Sequence, residues 1–218
     1  IWVEAEMNSV NDNPIVVPDD REIYHTANFM GYYVSSACDM LRSDIAQAAT
    51  WLHALLANLV HPRKSRGLPT NLIADPINHS GFRPIQILAA SLAVQCRKLA
   101  QSHASFVLPT EGDNQDVNSL GTHAAFDLRA AVEHLEQLTG IVLMAAAQAL
   151  EIRGIAKAGA RSQAVVEAYR RDVPTLREDR LVDGDLRASV EFVRRMAAPG
   201  ETPPVVTERW DSAYEVAE

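Results

Sequence analysis

Three short stretches carry most of the side chains able to do chemistry: "NSVNDNP" at Asn8–Pro14, "HTANFMG" at His25–Gly31 and "TEGDNQDVNSLG" at Thr110–Gly121. Each is rich in amides or carboxylates and ends near the start of a helical pattern. Carboxamides can hold a carboxylate, and a carboxylate can bind or deprotonate an amine. Helix N-termini add unpaired N–H groups and a partial positive charge. Brought together, such loops would hold a carboxylate substrate or stabilise an electron-rich intermediate. Singly, each also reads as a turn or cap, because Asn and Asp bond their own backbone and Pro14 fixes φ. Glu111 and Gln115, four residues apart, share a face if their segment is helical.

Other chemistries lack a pattern. The histidines at 25, 53, 61, 79, 103, 123 and 134 show no HExxH or paired-ligand spacing, which argues against a metal site. No glycine-rich phosphate loop follows a strand. One basic knot, His61-Pro62-Arg63-Lys64-Ser65-Arg66 before Gly67, reads as a solvated loop, with a phosphate or nucleic-acid role as the lesser reading.

The elements that must position these loops are helices. Residues 1–31, with Pro14, Pro18 and Gly31, read as loops. From Tyr32 to about His61 the spacing of Val34, Met40, Leu41, Ile45, Ala48, Leu52, Leu55, Leu56 and Leu59 predicts a helix with one apolar face. Pro62, Gly67 and Pro69 end it, and Pro84 suits the first turn of a helix running to about Ser102. The longest pattern covers about Ser119–Arg153, its seam running through Leu128, Val132, Leu135, Leu138 and Val142. The small residues of "AAAQAL" then let helices approach closely. Two shorter helices follow, at about Ala158–Arg171 and Asp185–Ala197. The class is all-α, a long-helix bundle: one helical domain over 1–198 (loops 1–31, core helices 32–153, C-terminal helices 154–198) and a flexible tail at 199–218.

The 218 residues are 47% hydrophobic and 22% charged, ordinary for a globular chain. A net charge of −8 argues against nucleic acid or an anionic membrane as the main partner. Cys38 and Cys96 lie far apart and read as reduced thiols of a cytoplasmic protein. No signal peptide is evident, and no apolar run approaches the roughly 20 residues that span a bilayer. The chain opens on Ile1-Trp2-Val3, which reads as a processed or split product, or the second part of something longer.

At the polar loops the chain resembles a known family. "NSVNDNP", "NFMG", "LPTNL" and "NQDVNSLGTHAA" leading to "AAAQALEIR" occur in the order and spacing of the aromatic amino acid ammonia-lyases and 2,3-aminomutases, which act on histidine, phenylalanine and tyrosine. The resemblance runs from about Glu4 to Asp185, and "YRRDVPTLREDR" looks like the C-terminal end of bacterial members. It implies the C-terminal half of that all-α lyase fold, in a homotetramer whose active sites draw on three subunits. It also implies an electrophilic prosthetic group, methylidene-imidazolone (MIO), formed from Ala-Ser-Gly in the N-terminal half. That group makes ammonia a good leaving group while a base removes a β-proton. Lyases release the arylacrylate; aminomutases return the amine to the β-carbon.

Carried over, Asn13 is implied to hold the substrate carboxylate, and Phe29 to lie against the prosthetic group. Glu111 and Gln115 are implied to be catalytic, near the substrate amine and the prosthetic group, and Ile87 to line the aryl pocket. Glutamate at 111 implies a phenylalanine-type enzyme, since tyrosine-type members tend to have asparagine there. Three departures stand out. Thr26-Ala27 replace two glycines, so β-branched Thr26 would be strained if φ is positive there. Arg83-Pro84 follow "SGF" where members commonly carry Lys or Met and then Gly. No Ala-Ser-Gly occurs, and the family's catalytic tyrosine and carboxylate-clamping arginine have no counterpart in this chain. Activity is therefore expected only with an N-terminal half, separate or cleaved. The alternative is a catalytically silent helical scaffold or regulatory subunit of the same fold.

Overall fold

The computed structural model describes residues 1–26 and 28–198, so Ala27 and the tail expected at 199–218 lie outside the described residues. The described chain is all-α in class. Its helices are α1 (Trp2–Met7), α2 (Tyr32–Val60), α3 (Arg83–Leu99), α4 (Gly121–Arg153), α5 (Ala160–Arg170) and α6 (Asp183–Ala197). Their ends follow local chemistry. Pro62 disfavours helix at His61, so α2 stops at Val60. Pro84 sits in the first turn of α3, where its missing N–H leaves nothing unpaired. Gly154, at φ 90, ends α4 in a conformation that favours glycine.

Residues 1–31 are not the plain loop expected. Besides α1 they hold an antiparallel hairpin, β1 (Ile15–Val17) against β2 (Glu22–Tyr24), with Val16 opposite Ile23. Both strands are three residues long, too short for an alternating pattern to register.

The chain divides into two compact units. The first comprises Ile1–Ala49 and Val94–Leu135; the second comprises Thr50–Ala93 and the residues from Glu136 on. Each of α2, α3 and α4 contributes one part to each unit.

In the first unit the buried line of α2 runs through Ser35, Cys38, Arg42 and Ala49, not through the predicted apolar face. Met40 and Leu41 are 59% and 50% exposed. The stripe is displaced because Arg42 is fully buried in a polar network. On α3 and α4, Cys96, Ala124 and Ala131 complete this core.

In the second unit α4 buries Leu138, Ile141, Met144, Ala145, Ala147 and Ala149. Along the whole helix the buried row is Ala124, Ala131, Leu138 and Ala145, so the seam is offset from the one predicted, and Val132 is 40% exposed. By length and composition α4 could cross a membrane, contrary to the reading of the sequence; its buried face accounts for that composition. At Gly140 a Cβ would stand 3.1 Å from the Cβ of Ser189 on α6, so the glycine permits a close helix crossing.

The motif "YRRDVPTLREDR" fastens this unit. Tyr169 is buried with its hydroxyl 2.6 Å from Ser189 Oγ. Arg170 donates to both carboxylate oxygens of Glu151, at 2.7 and 2.8 Å. Buried Gln148 donates to the carbonyls of Leu72 and Leu176 at 2.6 and 2.9 Å and accepts from the Leu176 N–H at 2.9 Å. Its amide is thereby satisfied inside the core.

Candidate active site

The first unit contains a cavity of about 480 Å³ at the start of α4, lined by Phe29, Met30, Gln115, Asn118 and the residues from Ser119 to His123. Ser119 organises its floor. The buried Ser35 hydroxyl donates to the Ser119 carbonyl at 2.7 Å, and Ser119 Oγ accepts from the Gly121 N–H at 3.3 Å. The Ser35 N–H in turn donates to the Gly31 carbonyl at 3.2 Å. The short turn carrying Phe29 and the first turn of α4 are thus joined through two serines. Thr122 and His123 also line the cavity, and a helix leaves such first-turn N–H groups without internal partners. The positive end of a 33-residue helix therefore faces the space.

Glu111 and Gln115 do not share a helical face. Thr110 and Gln115 form an antiparallel bridge, with N–H···O distances of 2.9 and 3.2 Å. Between them Glu111, Gly112 and Asp113 have φ of 55°, 62° and 70°. Three successive left-handed residues cannot continue a right-handed helix. The turn leaves Gln115 half-buried at the cavity wall and Glu111 exposed, its Oε2 accepting from Asn114 Nδ2 at 3.3 Å.

Asn13 is exposed, follows Asp12 in a tight turn and is joined to Pro14 by a cis peptide. Its Oδ1 accepts from the Thr26 N–H at 3.2 Å, which leaves its amide N–H groups as its donors. The neighbouring amides act as a mount: Asn8 Nδ2 and Asn11 Nδ2 donate to the carbonyls of Glu4 and Glu6 of α1, at 2.8 and 2.9 Å. Thr26 is not among the residues with positive φ, so the strain expected there does not arise. Ile87 belongs to the second unit, where it is 68% exposed on α3. Of the five residues singled out in the sequence, the cavity gathers Phe29 and Gln115; Asn13 and Glu111 lie in the same unit but do not line it.

Among the lining residues the sequence reading did not single out are Asn118 and His123. Asn118 donates to the Leu108 carbonyl at 3.2 Å, closing the base of the loop that carries Glu111 and Gln115. Its Oδ1 is buried without a partner. His123 stands on the first turn of α4. Both lie within "NQDVNSLGTHAA", so the signal was their place beside a helix start.

Comparison with known proteins places this geometry. A profile of the family described as aromatic amino acid lyase matches residues 1–171. Histidine ammonia-lyase of Treponema denticola is 30% identical over 191 residues, which cover 88% of this chain and 38% of that protein. An MIO-dependent tyrosine 2,3-aminomutase of Streptomyces globisporus is 33% identical over 195 residues, covering 88% of this chain and 36% of that one. Among solved structures, the phenylalanine aminomutase of Pantoea agglomerans matches with a TM-score of 0.82 at 30% identity, over 88% of this chain and 38% of its own. Histidine ammonia-lyase from Trypanosoma cruzi matches with a TM-score of 0.84 at 25% identity, over 90% of this chain and 39% of its own. The chain thus spans about 38% of the length of the first curated relative.

Proposed function

The chain belongs to the aromatic amino acid lyase family, and from that premise we propose that it forms the C-terminal part of an ammonia-lyase or 2,3-aminomutase acting on an aromatic amino acid. The observation that carries this reading is the single cavity that gathers Phe29, Gln115 and the positive end of α4. One relative is MIO-dependent by name. The residues present suit such a group: Phe29 offers a flat apolar face, Gln115 an amide, and the first turn of α4 open N–H donors for carbonyl oxygens. Bound there, MIO supplies the electrophile that turns the substrate amine into a leaving group. This chain has no Ala-Ser-Gly, so the group would come from an N-terminal part of the enzyme, in a tetrameric cytoplasmic assembly.

The chain's own groups would then divide the work. The amide N–H donors of Asn13, whose Oδ1 is taken by the Thr26 N–H, hold the substrate carboxylate. Gln115 orients the amine and the prosthetic group, and Glu111, on the exposed turn beside it, takes up the amine proton. Ile87 contributes to the aryl pocket. Glu111 favours L-phenylalanine as substrate; the histidine and tyrosine enzymes among the relatives make those amino acids its competitors.

The test is intact-mass analysis of every chain in a natively purified sample, alongside assays of ammonia release from L-phenylalanine, L-histidine and L-tyrosine. An enzyme mass lighter than the gene predicts by two waters, with ammonia released, is expected. This chain alone, at one mass and without turnover, would leave the silent scaffold as the reading.

A further inference from the structure

The basic knot that reads as a solvated loop contributes to a cleft in the second unit. Arg66 leaves that loop to line a space of about 440 Å³ together with Leu150, Arg153, Gly154, Lys157 and Ala158. We propose that this cleft binds a phosphate group carried on a small organic molecule.

The three cations come from three places: Arg66 from the loop after α2, Arg153 from the last turn of α4, and Lys157 from the turn that follows. Among the described residues none of them has a carboxylate within ion-pair distance. Glu151, close in sequence, is taken up by Arg170 and by the Thr175 hydroxyl at 3.0 Å. One cation in a helix's last turn is explained by the negative end of its dipole, and Arg153 fills that role. Arg66 and Lys157 are additional, and three unpaired like charges around one cleft in a chain of net charge −8 call for an anion.

The site is also built. Arg153 Nη2 donates to the Ser65 carbonyl at 2.5 Å, which ties the Arg66 loop to the end of α4. Ser65 is buried, and its hydroxyl donates to the Leu68 carbonyl at 3.4 Å. Gly154 has no side chain where the Lys157 arm crosses; a Cβ there would stand 3.8 Å from Lys157 Cε. Two guanidinium groups and an ammonium match the charge of a phosphate, which guanidinium can grip with paired hydrogen bonds. The cleft is far larger than one anion, and Leu150 and Ala158 offer an apolar wall for the rest of a phosphomonoester.

Calorimetric titration of the chain at constant ionic strength, with phenyl phosphate and with inorganic phosphate, tests this. Saturable binding of phenyl phosphate is expected, weakened at least about tenfold in the doubly substituted Arg66→Gln/Lys157→Gln chain, since each loss removes a charge-assisted contact. Both positions are exposed, and unchanged circular dichroism and melting would show the variant folded. Amide shifts at Ser65 and Gly154 would locate the ligand. Equal binding of both probes assigns the free ion; tighter binding of phenyl phosphate assigns the ester. Non-saturating heats, or equal affinity in the variant, would overturn the site whatever the outcome of the lyase assays.

Discussion

Arg42 shows how much a single residue can hold. It is fully buried, with Nη1 donating to the Leu99 carbonyl at 2.8 Å and Nη2 to Asp39 and, at 2.6 Å, to His103 Nδ1. A guanidinium only donates, so His103 Nδ1 must accept, and the ring hydrogen sits on Nε2, 3.2 Å from Asp127 Oδ2. Replacing Arg42 by alanine would leave Asp39 without its buried partner. Chemical denaturation should then show a loss of about 3–5 kcal/mol. A change under 1 kcal/mol would mean that water replaces the guanidinium. At the cavity, Gln115→Ala should lower turnover of the complete enzyme by about a hundredfold, the scale of one lost transition-state donor. Its helical circular dichroism should be unchanged; melting instead would give Gln115 a structural role. Phe29→Ala should likewise damage turnover more than stability.

Among the elements, the start of α3 depends on contacts from distant segments. The Asp179 carboxylate accepts from the N–H groups of Ser80 and Gly81, at 2.8 and 2.9 Å, just before the helix begins. Gly81 has φ 53, and a Cβ on it would stand 2.7 Å from the Asn71 carbonyl oxygen. Gly81→Ala combines overpacking with a disfavoured conformation and should cost about 2–3 kcal/mol, read as a lower denaturation midpoint. A neutral result would show that the 71–73 segment gives way. The long helices were legible because their apolar residues recur at helical spacing and proline or glycine marks their ends. The buried faces were less so. Arg42 and Gln148 are polar, yet both are core residues with partners far along the chain, and the Nε of Arg42 is buried without one. In the candidate site the motifs singled out five residues, of which Phe29 and Gln115 line one cavity. The stretch around Thr110–Gln115 was legible as a loop but its turn was not, because side-chain spacing says nothing of three left-handed residues in a row.

For the whole molecule, pH acts from both sides. Burial opposes ionisation of Asp39, but hydrogen bonds from Ser102, Arg42 and the His103 N–H hold its carboxyl below the usual carboxylate range. Its contribution is therefore present above about pH 4 and is lost as pH falls through the lower, folded value. Burial pushes the Tyr169 hydroxyl up to about 12, against the opposing effect of its hydrogen bond with Ser189. The neutral phenol is what the fold favours, so its contribution is whole below about pH 10 and is lost as pH rises toward 12. Melting temperatures between pH 3 and 11 should fall at both ends, and Tyr169→Phe should remove the alkaline arm. An alkaline arm that survives the substitution would place the titrating group elsewhere. The division into two units has a consequence for the order in which the protein is made. Neither unit is a continuous stretch of chain, because α2, α3 and α4 each pass through both. Arg42 leaves the ribosome 61 residues ahead of His103 and 85 ahead of Asp127. As that interval opens the nascent chain carries a cation destined for the interior with Leu99, His103 and Asp127, three of its four partners, unmade. The first unit can close only once α4 is being synthesised.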